Sequence, residues 1–111
     1  MTRVYIGGPI TGKLDLNKPA FDAAEQMLIG LGDYVFNPHS IAEPDEKDIP
    51  EEVEAAKKWV WRYYMRNCIS ELVKCDELYL LAGWQNSDGA VWEYRIANML
   101  GMPVRYEHVP D

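Results

Sequence analysis

The sequence predicts an α/β fold, a small parallel sheet of four to five strands with helices on both faces, doubly wound in the Rossmann-like or flavodoxin-like manner. Three observations carry this expectation. Short runs rich in β-branched and aromatic residues alternate with segments whose apolar residues recur at spacings of three and four. No hairpin signal joins consecutive strand runs, so each connection reads as a crossover. Residues 78–82 are continuously apolar, as in a strand buried on both faces.

Arg3–Gly7 (RVYIG) reads as the first strand, followed at once by the turn Gly7-Gly8-Pro9-Ile10-Thr11-Gly12. Asn17 is placed to cap the next helix, with Pro19 in its first turn, where a missing N–H costs least. Ala20, Phe21, Ala24, Met27, Leu28 and Leu31 form one apolar face, and Gly30 and Gly32 end the helix. Tyr34–Phe36 is a short second strand closed by Asn37-Pro38. Residues 40–52 hold two prolines and six acids, the composition of an exposed connection.

Residues 52–74 run without proline or glycine and predict a long helix with two stripes. Val53, Ala56, Val60, Tyr63 and Asn67 mark one; Trp61, Met65, Ile69 and Leu72 mark its neighbour. Two faces suit packing on the sheet and on a second subunit, with Trp59, Trp61, Tyr63 and Tyr64 at the interface, or plain core packing. Residues 76–82 are the third strand. Residues 89–100 form the third helix, with Val91, Ile96, Ala97 and Leu100 inward, stopped by Gly101 ahead of Pro103. Residues 102–106 give the last strand.

The 111 residues make a single domain, 1–111, with 48% hydrophobic residues. A chain of this size buries roughly two thirds of its surface. Eleven basic and eighteen acidic side chains give a net charge of −7. That balance argues against non-specific binding to nucleic acid or anionic membranes, and leaves room for one small phosphorylated ligand. No apolar segment approaches the roughly 18 residues of a membrane span and no signal-peptide pattern opens the chain, so the cytoplasm is the expected location. Cys68 and Cys75 lie on one helical stretch, about 10 Å apart at 1.5 Å per residue, too far for a disulfide. His39 and His108 show no ligand spacing, so reduced thiols and no metal site are expected.

The segment Ser87-Asp88-Gly89-Ala90-Val91-Trp92-Glu93 follows the buried third strand and opens a helix. Open α/β sheets bind ligands at that end of the strands, where the loop after the first strand also converges. Glycine-rich backbone there can aim N–H groups at an anion, and Thr11 and Ser87 add hydroxyls. By itself the glycine turn lacks the spacing of either nucleotide-loop fingerprint and reads equally as a structural turn. Glu93, on the first turn of its helix, is a candidate nucleophile or an acid stabilised by the helix dipole. Trp84 and Trp92 are candidates to stack a base or to pack in the core or an interface.

Four motifs in order, Val4-Tyr5-Ile6-Gly7-Gly8-Pro9-Ile10-Thr11-Gly12, Phe36-Asn37-Pro38, Cys75-Asp76 leading into Leu80-Leu81-Ala82-Gly83-Trp84, and Ser87-x-Gly89-Ala90-x-x-Glu93, resemble a phage and bacterial group of small proteins. That group belongs to the nucleoside 2-deoxyribosyltransferase-like superfamily, which includes the 2′-deoxynucleoside 5′-phosphate N-hydrolases. The resemblance covers nearly the whole chain. It implies that Glu93 is the nucleophile, that Tyr5 is the active-site tyrosine, and that Ser87 and the loop from Gly7 to Gly12 contact a 5′-phosphate. It also implies a homodimer or larger assembly, because the superfamily completes its pocket with a neighbouring subunit, and no cofactor. One departure stands out. The superfamily's further aspartate near the base, on the helix before the third strand, has no counterpart in Arg66-Asn67-Cys68, and Asp76 reads as a separate structural position.

The implied chemistry accounts for these residue types. Cleaving an N-glycosidic bond builds oxocarbenium character at C1′, which a carboxylate can stabilise or attack. Tyr5 would orient that carboxylate. Departure of the base needs a proton, for which Asp88 is the candidate beside water. The expected activity is N-glycosidase or deoxyribosyltransferase-like, on a small deoxynucleoside or its 5′-monophosphate. Two alternatives remain at this stage: a nucleotide-binding sensor or effector without catalysis, and a partner-binding oligomer with a vestigial site.

Overall fold

A computed structural model describes residues 2–107, in which strands and helices alternate: β1 (Arg3–Gly7), α1 (Lys18–Gly30), β2 (Tyr34–Phe36), α2 (Val53–Leu72), β3 (Glu77–Leu80), α3 (Asp88–Met99) and β4 (Val104–Tyr106). The four strands form one sheet in the order β2-β1-β3-β4, and every neighbouring pair is parallel. The expected fold class is therefore correct, with four strands. The chain winds outward from β1 in one direction and then, after crossing back, in the other. Right-handed crossovers in opposite directions place α1 and α3 on opposite faces.

Strand alternation sorts the core into two layers. Val4, Ile6, Tyr79 and Leu81 point to the α1 side and pack on Phe21, Ala24 and Leu28. Tyr5, Leu78 and Leu80 point the other way, against Cys68 and Leu72 of α2 and Ala97 of α3. Both β1 and β3 are covered on each face, which is why their sequences read as continuous apolar runs. Met27 and Leu31, expected on the inward face of the first helix, are exposed, because the narrow sheet covers only the stripe through Phe21, Ala24 and Leu28. Leu100, expected inward, lies past the end of α3 and is exposed.

The caps explain where the helices begin. Glu52 turns its carboxylate onto the N–H groups of Glu54 and Ala55, at 3.1 and 2.7 Å, and so starts α2. Ser87 does the same for α3, its Oγ accepting the Ala90 N–H at 3.2 Å. Asn17 does not cap α1 through its side chain. It lies in a left-handed run with Asp15 and Leu16, and its amide donates to the Pro9 carbonyl at 2.9 Å instead. That bond ties the start of α1 to the loop after β1. Asp76 accepts the Arg3 N–H at 2.9 Å at the opposite end of the sheet, a structural position as expected.

Residues 40–52 are a largely exposed connection, as their composition predicts, with a 3-10 turn at Glu46–Asp48 after the one that ends at Ser40. The Tyr63 hydroxyl donates to the Ala42 carbonyl at 2.8 Å and holds this connection to α2.

The loops after β1 and β3 meet at the carboxyl ends of the two central strands. The Leu81 N–H donates to the Gly7 carbonyl at 2.8 Å, extending the pairing by one residue. Gly8 is buried there against Leu81, and a Cβ on it would stand 2.8 Å from the Leu81 Cβ. Substituting Gly8→Ala is expected to lower stability by about 1–3 kcal/mol, read as a reduced urea midpoint at unchanged slope, because buried side chain rather than a flexible tip blocks the added methyl.

Candidate active site

Glu93 is the only buried carboxylate among the described residues. It sits in the second turn of α3, one turn later than its expected place, and its side chain runs inward to β1 instead of toward the helix N-terminus. Tyr5, with no exposed surface, donates its hydroxyl proton to Glu93 Oε2 across 88 positions of sequence. The other oxygen, Oε1, lies on the Gly7 side, 3.3 Å from where a Cβ on that residue would stand. Glycine at position 7 thus lets the carboxylate pack directly against the end of β1. Phe36 stacks on the Tyr5 ring with centroids 5.6 Å apart, fixing the phenol from the β2 side.

The electrostatics follow from burial. Removal from water pushes the Glu93 carboxyl up to about 7, although the Tyr5 hydrogen bond pulls the other way. The Tyr5 phenol is held well above its ordinary value by burial and by the carboxylate facing it, so it remains a proton donor. Cys68, from α2, is the third group here; burial pushes its thiol up to about 11, which keeps it protonated and unreactive at neutral pH. Cys75 is also a free thiol, as expected.

The other expected site residues divide by what the fold does with them. Gly8 and Pro9 are buried, Ile10 is half-buried, and Thr11 and Gly12 are exposed, so the turn presents its far end to solvent. Pro9 touches the Gly83 turn, where an added Cβ would stand 3.6 Å from the Pro9 ring, so the loops after β1 and β3 do converge. Ser87 is half-buried and its oxygen is engaged in the α3 cap, which leaves its hydroxyl proton to donate. Asp88 is exposed at the first position of α3 and shares no hydrogen bond with the Tyr5–Glu93 pair. Gly89 makes room for Met65 of α2, whose sulfur would lie 3.1 Å from an added Cβ. Trp84 packs on Tyr94 and Tyr106, with centroids at 4.7 and 6.2 Å. Trp92 is exposed under the Arg95 guanidinium.

Several polar residues that sequence reasoning left aside form a network beside the loop after β1. Buried Asn37 donates to Asp22 Oδ1 at 3.0 Å and accepts the His39 N–H at 3.0 Å, while Lys18 pairs with Asp22 at 2.5 Å. The Phe36-Asn37-Pro38 motif was the available signal, since a buried asparagine needs partners. No group of His, Cys, Asp or Glu among the described residues could hold a metal ion, and His108 lies outside them.

A family described as "Domain of unknown function (DUF4406)" matches residues 2–106. The chain belongs to this family. No curated protein matches the DUF4406 chain at a significant level. Among solved structures, a 2-deoxyribosyltransferase from the psychrotolerant bacterium Bacillus psychrosaccharolyticus superposes with a TM-score of 0.67 at 23% identity, over 97% of this chain and 77% of that one. A conserved protein from Enterococcus faecalis V583 superposes with a TM-score of 0.62 at 20% identity, over 96% of this chain and 62% of that one. The DUF4406 chain therefore has the nucleoside 2-deoxyribosyltransferase-like fold.

The raised Glu93 carboxyl sets a pH dependence of stability. An unfolded glutamate titrates near 4.5 and the folded one near 7. The folded state then binds the proton more tightly, so stability is greatest below about 4.5 and falls as pH rises toward 7. The full difference is about 3 kcal/mol. Comparing urea midpoints at pH 5 and pH 8, Glu93→Gln should remove most of this loss and be more stable than the wild type at pH 8.

Proposed function

We propose that the protein cleaves the N-glycosidic bond of a small deoxynucleoside or deoxynucleoside 5′-monophosphate, with Glu93 acting at C1′. The observation that carries this reading is a carboxylate buried against the glycine at the end of β1 and aimed by a buried tyrosine. Fold alone does not assign chemistry. A buried carboxylate held at a cost in stability is the mark of a group placed for reactivity.

In this reading Glu93 Oε1 faces the anomeric carbon, and Tyr5 fixes Oε2. As the C1′–N bond lengthens, the ionised carboxylate stabilises the oxocarbenium-like centre or bonds to it, and water or a second base then takes the sugar. Asp88 or water supplies the proton to the departing base. Gly8, Thr11 and Ser87 hold the 5′-phosphate with backbone N–H and hydroxyl donors, close to the start of α3. A second reading, a nucleotide-binding module without turnover, is favoured by one observation: α2 contributes Cys68 to the buried layer around Tyr5, and no carboxylate.

The test is release of free base, followed by chromatography, from a panel of deoxynucleosides and their 5′-monophosphates. The enzyme reading expects release that falls at least about a hundredfold in Glu93→Ala. The absence of release with every substrate, together with a melting temperature raised by one nucleotide, would replace it with the binding module.

Activity should rise with pH through about 7, because the carboxylate must be ionised to act. Tyr5→Phe removes the hydrogen bond that favours the ionised form. Its kcat/KM profile should show that limb displaced to higher pH, besides a lower maximum.

A further inference from the structure

Asn17 stands where a helix cap would stand, yet its amide turns back eight positions and donates to the Pro9 carbonyl at 2.9 Å. The backbone takes an unusual course to allow this. Asp15, Leu16 and Asn17 are consecutive left-handed residues, with φ of 52°, 54° and 59°. Asparagine and aspartate tolerate that region best, whereas leucine seldom enters it. Three such residues in succession are strained. Strain of this kind persists only where the surroundings impose it, and it gathers at functional sites.

Pro9 lies in the middle of the loop that follows β1. Among the described residues Asn17 is the one donor to its carbonyl; the turn bonds of the loop run from the Lys13 N–H to Ile10 and from the Leu16 N–H to Lys13. Proline has no N–H, so Ile10 carries the first donor after Gly8. The peptide between Pro9 and Ile10 is planar and trans, so its C=O and N–H point in opposite directions. Fixing the oxygen toward the start of α1 therefore aims the Ile10 N–H away from it. α1 covers one face of the sheet, while Tyr5 and Glu93 meet on the other. The Ile10 N–H has no acceptor among the described residues. A backbone donor left this way takes its partner from water or from a ligand.

We propose that Asn17 is a positioning residue for anion recognition, holding the Ile10 N–H through Pro9 toward the 5′-phosphate of the ligand. The inference rests on the phosphate placement proposed above and goes beyond it by naming the side chain that orients the loop. A donor fixed in advance needs no reordering when the anion arrives. The left-handed run is the backbone course that brings the Asn17 amide to this place.

Inorganic phosphate is the direct probe, followed through the Ile10 amide in NMR spectra of the full chain. The wild type should show a saturable shift of that signal. Asn17→Gly accepts the left-handed backbone and removes the amide, so it should fold and bind phosphate at least about tenfold more weakly. Leu16→Gly relieves the neighbouring strain but keeps the bond, and its affinity should match the wild type. A mere structural staple would give Asn17→Gly a lower urea midpoint at unchanged phosphate affinity, which would overturn the proposal. So would a wild-type Ile10 amide indifferent to phosphate, or a loss in Leu16→Gly as large as in Asn17→Gly. None of these measurements reads turnover. A protein that behaves this way and releases no base loses only the cleavage reading; one that releases base and ignores phosphate loses only this inference.

Discussion

The hydrogen bond from Tyr5 to Glu93 is the constraint around which this small domain is arranged. A carboxylate with almost no contact with water is unfavourable unless its oxygens find partners, and only a donor already fixed in the core can serve. The phenol on the central strand is that donor. Its own position depends on Phe36 stacked from β2 and on the apolar layer formed with α2 and α3. The pair consequently joins the first strand to the last helix, inside the layer where both α2 and α3 pack on that side of the sheet.

The same bond sets two opposing tendencies. Burial favours the neutral acid, whereas the phenol favours the carboxylate. The balance near neutrality leaves a group that can change charge under ordinary conditions, where a surface glutamate would be permanently ionised. Gly7 completes the arrangement. Any side chain there would crowd Glu93 Oε1 and Leu80. Stability is given up at this point in the fold, and the rest of the core, including the doubly covered β1 and β3, compensates for it.

Much of this was legible in the sequence because parallel α/β units announce themselves. Strand runs without hairpin turns and a switch between periods of two and 3.6 led to four strands and three helices. The loop at Gly8 and the helix start at Ser87 do follow the carboxyl ends of β1 and β3, as expected. Fine geometry was less accessible. The inward direction of Glu93 depends on which face of α3 meets β1, a relation between residues 88 positions apart. Asn17 looks like a helix cap by type, yet three left-handed residues turn it toward the Pro9 carbonyl. The Trp61 stripe has core-like spacing, but spacing cannot reveal that α3 begins only at the level of Met65. Local chemistry was readable, and the lengths of neighbouring elements relative to one another were not.

Glu93 is a buried carboxyl that shares its proton environment with Tyr5. Its side-chain carboxyl carbon can be followed by NMR as a function of pH in the wild type and in Tyr5→Phe. We expect a midpoint near 7 in the wild type and a higher one without the phenol. A midpoint near 4.5 in both proteins would place the carboxylate in water, unconnected to Tyr5, and would contradict the account.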